Sequence, residues 1–450
     1  VISAARTWPK LSLGADRRRF VYWLLSWVIL PNIGFMALWL VGAPPRVLDI
    51  LVIGFAGLLI KRMGFWFRYG LFLTAMTWTT LRFVGGLFNL NPDSLFYSLR
   101  FFAEIKPSHS LEYIVAALGI LAILYIAFRL MRRDANFTSA PLIILSACMV
   151  TGLAFVDNEI GKNMRGHYMR SAPNGAPFGS AMQDSKFAVR ADGNRHLLLI
   201  MVESLGVPRG NAEMDRLLFA AYKNNSAVQQ KYDLKQGINP YYVSTTSGEV
   251  RELCGRWGDY YDVVERQDTG CLPATLSRKG YDTLAIHSFV GSFFDRTKWY
   301  PNIGFQKMEF KDELEAKGAE VCGGVFAGVC DRDIPKQIGQ HLRAADKPTF
   351  LYWLTLNTHL PMPTGLNLNV DNCERVSSKL AAEYPQICRQ FALWDDIDRA
   401  LISEITAADF PATDILIVGD HMPPYFDRHH RSQFDPAHVP WLYLKHKDAQ

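Results

Sequence analysis

The chain lacks the features that mark nucleic-acid binders, repeat proteins and disordered tails. Its net charge is only +5 over 450 residues. No long basic run is present to track a phosphate backbone, so nucleic acid is excluded as a partner. There is no internal repeat and no low-complexity tract. Cysteine is scarce, seven residues in all, and no two stand in the C-x-x-C spacing of a zinc-cysteine site. What the chain does have is apolar residues, 49% of the total. They crowd the first third, together with much of the aromatic content, as in a membrane protein. The rest has ordinary globular composition. The chain begins at Val1, which places its true start upstream.

Crossing a hydrocarbon core of ~30 Å takes about 20 mostly apolar residues. Residues 20–41, 65–88, 111–128 and 140–156 supply such segments, residues 46–60 add a fifth that is shorter but cleanly apolar from Ile50 to Ile60, and the charges concentrate between them. Arg17, Arg18 and Arg19 precede the first segment, Lys61 and Arg62 follow the second, and Arg129, Arg132 and Arg133 follow the fourth. Five crossings put all three clusters on one side, which is then cytoplasmic. The rest of the chain follows on the outer side. Arg68 and Arg82 lie within the third segment, where they snorkel, pair inside the bundle or meet an anionic headgroup. Residues 94–107 are aromatic and amphipathic and read either as an interfacial helix or as a plain loop.

Cys148 falls in an apolar segment and reads as a small packing residue. The other six cysteines, Cys254, Cys271, Cys322, Cys330, Cys373 and Cys388, all follow the last apolar segment. An even number outside the cytoplasm points to disulfides. Pairing of sequential neighbours is the simplest arrangement.

Residues 161–193 are rich in Gly, Pro, Ser and Asn and read as a linker. Beyond them come continuous apolar runs, "LLLIMV", "TLAIH", "PTFLYWLTL", "DILIV" and "VPWLYL", with helical patterns between, the clearest over 391–407. Such runs suit strands buried on both faces, so the domain is expected to be α/β with a mainly parallel sheet covered by helices. Ligands bind beyond the carboxyl ends of such strands. The first run ends in Glu203-Ser204, the third in Asn357-Thr358-His359 and the fourth in Gly419-Asp420-His421. One such group is explained as a satisfied polar residue; three at one sheet edge point to a divalent cation, zinc or manganese. In "YYVSTTSGEVRELCG", four hydroxyls run from Ser244 to Ser247. Gly248 permits a tight turn into a helix starting near Glu249. By itself this stretch reads as an N-cap before it reads as a nucleophile.

The order "IMVESLG", "TTSGE", "HSFVGSFFDRTKWYPNIGF", "THLPM", "IVGDH", a histidine pair and "VPWLYL" resembles the alkaline-phosphatase/sulfatase superfamily. The pattern is most similar to its membrane-bound branch of lipoteichoic acid synthases and lipid A phosphoethanolamine transferases. The resemblance covers nearly the whole chain. It implies a transmembrane domain over 1–158, a linker over 159–194 and an extracytoplasmic catalytic domain over 195–450, in a bacterial inner membrane with the catalytic domain in the periplasm. The metal ligands it implies are Glu203, Asp420, His421 and the nucleophile, Thr246 with Thr245 as the alternative. The implied substrate contacts are His287, Phe294 (where the synthase has tryptophan), Arg296, His359 and His429 or His430. The chain departs from the family at Met422-Pro423-Pro424, where a glycine is usual. It also lacks the C/S-x-P-x-R motif of sulfatases. The function implied is transfer of a phospholipid headgroup through a phospho-threonine. The donor is phosphatidylglycerol or phosphatidylethanolamine, with phosphoglycerol favoured by "FFDR", and the acceptor is an extracytoplasmic glycan or lipid-linked sugar. A membrane-tethered hydrolase and a non-catalytic sensor are the rival readings.

Overall fold

The computed structural model describes residues 13–40, 45–88, 111–161, 172–173, 175–242, 244–425 and 427–447. The amphipathic stretch 94–107 lies outside them. The chain divides into two compact units, and among the described residues the first ends at 161 and the second starts at 172.

The first unit is helical. Leu13–Leu24 continues through a π-helical turn, Leu25–Ile29, into Leu30–Ala37. The turn falls just ahead of Pro31, whose ring and missing N–H break the regular ladder. Asn32 Nδ2 donates to the Val28 carbonyl at 2.8 Å and satisfies part of what the break leaves open. Val47–Leu59, Phe65–Phe88, Leu111–Met131 and Ala140–Gly161 follow. Three helices among the described residues are long and apolar enough to cross a membrane: Gly14–Ala37, Ile114–Met131 and Ala140–Gly161. Val47–Leu59 is apolar but reaches only about 20 Å at 1.5 Å per residue.

Gly57 lets the Val47–Leu59 helix lie against the first one, since a Cβ there would come within 2.2 Å of the Trp27 ring. Arg68 and Arg82 both pair within this unit. Arg68 Nη2 caps the Met131 carbonyl at 2.7 Å, and Arg82 Nη1 meets Asp49 Oδ1 at 3.2 Å. Cys148 differs from the expected packing residue. It is exposed on its helix beside Ile144 and Phe155, which are also exposed, because positions three and four apart share a helix face.

The second unit is built on a seven-stranded sheet in the order β2-β9-β8-β1-β7-β3-β4. The strands are β1 (His196–Val202), β2 (Tyr232–Pro240), β3 (Asp282–His287), β4 (Lys307–Glu309), β7 (Thr349–Leu354), β8 (Thr413–Gly419) and β9 (His438–His446). A separate hairpin pairs β5 (Val321–Cys322) with β6 (Gly328–Val329). From β8 through β4 the sheet is parallel. The last apolar run, β9, enters antiparallel and brings β2 onto the edge, so the sheet is mixed. No apolar run announced β2, because as an edge strand it buries few of its residues.

Alternate residues explain the continuous apolar runs. Leu198, Ile200, Leu351, Trp353, Ile415 and Ile417 face one buried cluster. Leu197, Leu199, Phe350, Tyr352, Leu416 and Val418 face another. The helix expected over 391–407 spans Pro385–Ile405, with proline at its first position, where its missing N–H costs nothing. Within the stretch read as a linker, Ala181–Ser185 and Phe187–Arg190 are short helices. Cys254–Cys271, Cys322–Cys330 and Cys373–Cys388 are disulfides.

Candidate metal centre

Strands β8, β1, β7 and β3 are neighbours running in the same direction, so their carboxyl ends form one row. Glu203 follows β1 and is held by its own backbone. Its N–H donates to Thr355 Oγ1 at 2.9 Å, and its carbonyl accepts from Thr358 Oγ1 at 2.6 Å. Ser204 then adopts a left-handed conformation, φ 57°, which is uncommon for a residue with a Cβ and tends to mark functional turns. The turn aims the Ser204 N–H at Asp420 Oδ1, 2.7 Å away, and the His421 N–H reaches the same oxygen at 2.6 Å. Asp420 Oδ2 is left buried with no hydrogen-bond donor.

His421 donates Nδ1–H to the Met422 carbonyl at 2.8 Å, which turns Nε2 toward the two carboxylates. That nitrogen lies 3.3 Å from Glu203 Oε1, 3.3 Å from Asp420 Oδ2 and 3.3 Å from Thr245 Oγ1. One donor atom from each of Glu203, Asp420 and His421 falls within 4.8 Å of the others. Burial and the neighbouring Glu203 push the Asp420 carboxyl up to about 7. Burial alone would lower the His421 imidazole, but Asp420 and Glu203 outweigh it and raise it to about 10. Carboxylates crowded around an orphaned oxygen make an O,O,N donor set that fits a divalent cation of intermediate hardness.

The hydroxyl that joins this set belongs to Thr245. Its Oγ1 donates to Glu203 Oε2 at 3.1 Å. Thr246, the first choice from sequence, points elsewhere: its Oγ1 donates to Asp259 Oδ1 at 2.7 Å. Neighbouring side chains on a helix are turned by about 100° from each other, so two adjacent hydroxyls cannot serve one centre. The helix runs Thr245–Cys254, starting four residues earlier than anticipated, and Gly248 sits inside its first turn. A Cβ at Gly248 would come within 3.2 Å of the Asp420 Cα and Cβ, so the glycine is what lets the helix end approach Asp420.

The other candidates divide. His359 lies near the centre without joining the Glu203–Asp420–His421 group, close enough for the charges of Glu203 and His421 to act on its ring. Its Nδ1 donates to the Leu360 carbonyl at 2.7 Å, and Phe326 packs on its ring at 4.2 Å. Burial lowers this imidazole, with the charge of Glu203 acting against the shift. His287 is a core residue. Its Nδ1 donates to the Leu354 carbonyl at 3.1 Å, and burial followed by the Arg296 charge drives it well below the usual range, so it is neutral. Arg296 is corrected from a headgroup contact to a buried partner of Glu249. It is 1% exposed, with Nη2 2.8 Å and Nε 3.2 Å from Glu249 Oε2. Its Nη1 donates to the Phe293 carbonyl at 3.1 Å. Tyr300 and Tyr352 also donate to Glu249. Phe294 is half-buried with φ 54°, edge-on to Tyr260. His429 stacks on Tyr384 at 4.9 Å, and His430 Nδ1 lies 3.3 Å from Asp427 Oδ2. Neither is part of the Glu203–Asp420–His421 group.

Sequence reasoning missed two buried aspartates. Asp331 accepts from Ser288 Oγ at 2.5 Å and from the Leu356 and Asn357 N–H groups, which fixes the loop carrying His359. Its position next to Cys330 was the only available signal. Asp259 gathers the hydroxyls around Thr246, and nothing in "WGDYYD" marks it.

A curated relative from Rhizobium meliloti (strain 1021), described as a putative cyclic beta-1,2-glucan modification protein, is 29% identical over 168 residues. The match covers 36% of this chain and spans only a quarter of that protein's length. Among solved structures, the lipoteichoic acid synthase LtaP from Listeria monocytogenes aligns at 15% identity and a TM-score of 0.45, over 58% of this chain and 67% of that one. The Streptococcus pyogenes phosphoglycerol transferase GacH, in complex with sn-glycerol-1-phosphate, aligns at 17% and 0.39, over 61% and 77%. The phosphoethanolamine transferase EptA from Neisseria meningitidis aligns at 11% and 0.40, over 96% and 89%. The sulfatase family profile matches residues 195–443, more than half of the chain and every strand of the main sheet. With its Glu-Thr-Asp-His constellation at the strand ends, the chain belongs to the sulfatase family of the alkaline-phosphatase superfamily.

Proposed function

We propose that this protein transfers a phospholipid headgroup, phosphoglycerol or phosphoethanolamine, to an extracytoplasmic glycan. The observation that carries this reading is the Thr245 hydroxyl at a helix N-terminus, 3.1 Å from Glu203 and 3.3 Å from His421. Glu203, Asp420, His421 and Thr245 would hold the cation, zinc or manganese. Its chemistry there is to favour the alkoxide and to neutralise charge on the phosphoryl oxygens.

In the first step Thr245 Oγ attacks the donor phosphorus. The bond between phosphorus and the diacylglycerol oxygen breaks, and the proton lost from Thr245 is matched by one gained on diacylglycerol. His359 stands beside Glu203 as the carrier of that proton. In the second step an acceptor hydroxyl attacks the phospho-threonine and restores Thr245. The N-terminal N–H groups of the Thr245–Cys254 helix stabilise the phosphate. The name of the R. meliloti relative supports a β-glucan as acceptor.

The apolar first third supports five crossings over 1–158, a connector over 159–194 and a periplasmic catalytic domain over 195–450, anchored in a bacterial inner membrane. His429, His430 and Phe294 remain the proposed outer contacts for the substrate. The test is mass spectrometry after incubation with phosphatidylglycerol or phosphatidylethanolamine and the metal. The expected result is a phospho-headgroup adduct on Thr245, its mass naming the donor, with release of diacylglycerol. Headgroup release to water with no glycan product would assign a hydrolase instead.

A further inference from the structure

We infer that Asp259 is a positioning residue. It draws the hydroxyls of Ser244, Thr246 and Ser247 to itself, so that Thr245 alone is presented to the metal and the helix N-terminus stays open to phosphate. The inference rests on the transfer reading above, in which Thr245 becomes phosphorylated.

Four residues in a row carry hydroxyls, and any of them placed near an activated phosphoryl group could compete. The structure separates them. Thr246 Oγ1 donates to Asp259 Oδ1 at 2.7 Å, and Ser247 Oγ donates to Asp259 Oδ2 at 2.7 Å. Ser244 Oγ lies 3.0 Å from Thr246 Oγ1 and 3.5 Å from Asp259 Oδ2. Ser244 occupies the N-cap position of the Thr245–Cys254 helix yet makes no side-chain capping bond. A serine there ordinarily accepts from the second or third helical N–H. The Ser244 hydroxyl turns instead to Thr246 Oγ1, itself held by Asp259, and the first-turn N–H groups keep their capacity for an anion.

Asp259 is itself well placed for the task. It is buried, and its own Tyr260 N–H bonds back to Oδ1 at 2.7 Å. The loop that carries it leaves the far end of the same helix. Cys254 is the last helical residue, and Gly255 turns the chain with φ 64°. The disulfide from Cys254 to Cys271 closes residues 255–270 into a ring. The helix is thus gripped at one end by a covalent bond and at the other by the carboxylate. A displacement of about 1 Å at a reacting group can cost 100-fold in rate, so the grip matters kinetically.

The experiment uses the full chain in nanodiscs with phosphatidylglycerol, measuring turnover and the adduct site for wild type, Asp259→Asn, Thr246→Val and the double variant. We expect Asp259→Asn to lower kcat by about 10- to 100-fold with KM little changed. The double variant should be no worse than the poorer single one, because both remove the same contact. Unchanged turnover in Asp259→Asn, or losses that multiply in the double variant, would overturn the inference and leave the transfer reading intact. A wild-type adduct on Thr246 overturns it as well. No wild-type adduct on any residue removes both. If Asp259→Asn fails to fold, Thr246→Val decides by itself: full turnover refutes the clamp and a 10-fold loss with the adduct still on Thr245 supports it.

Discussion

Each unit of this protein buries arginines, and Arg46 in the first and Arg296 in the second are accommodated differently. In the helical unit, Arg46 donates to neutral groups, Asn32 Oδ1 at 3.2 Å and Thr79 Oγ1 at 2.6 Å, and its guanidinium lies 3.5 Å above the Phe35 ring. Asp157 accepts from the Arg46 backbone N–H at 2.5 Å, and the charges of Asp49 and Asp157 act on the guanidinium without a direct side-chain bond to it. In the unit built on the seven-stranded sheet, Arg296 is locked directly onto the Glu249 carboxylate, and two tyrosines fill the remaining lone pairs. Dispersed contacts tolerate the loss of one partner, because the others and rearranged neighbours still serve. A single desolvated pair does not, because removing one member strands the other charge. The second arrangement is rigid, and it lies beneath the helix that presents Thr245. Glu249 is itself a residue of that helix.

The comparison can be broken or sharpened from the most severe change to the mildest. Thr245→Ala should abolish transfer, a fall on the order of 10³-fold or more, while melting close to wild type. Thr246→Ala should fall short of that loss in the same turnover assay. Equal losses would mean that the two hydroxyls are not separated as the geometry indicates. Glu249→Leu should destabilise the second unit by about 3–5 kcal/mol, read from denaturant unfolding of the full chain, because Arg296 is left without its charge partner. A smaller cost would place Arg296 nearer to water than its burial implies. Replacing Cys254 and Cys271 together by serine should cost about 3 kcal/mol through the restored freedom of the 255–270 loop. Asp157→Leu should cost about 1–2 kcal/mol in detergent, the range for polar contacts between apolar helices. A loss matching that of Glu249→Leu would erase the distinction between the two arginine sites.

The sheet was legible because its central strands are buried on both faces and therefore continuously apolar. Glu203, Asp420 and His421 could be found because each directly follows such a run. Arg296 could not be read correctly, since "FFDR" matches a headgroup-binding segment whether its guanidinium faces a ligand or turns inward. Its partner Glu249 lies 47 positions away, and only folding brings them together. Cys148 shows the same limit on a smaller scale: an apolar helix marks which residues are helical but not which face is covered.

The sequence by itself determined the apolar first third, the parallel core of the second unit and the strand-end carboxylates and imidazoles, because burial and periodicity are local properties of the chain. Only the tertiary structure puts the Thr245 hydroxyl, and not that of Thr246, beside Glu203 and His421. That choice depends on where a helix begins and how it is rotated. Both are set by contacts made far along the chain: Asp420 packed against Gly248, Asp259 holding Thr246, and Arg296 holding Glu249.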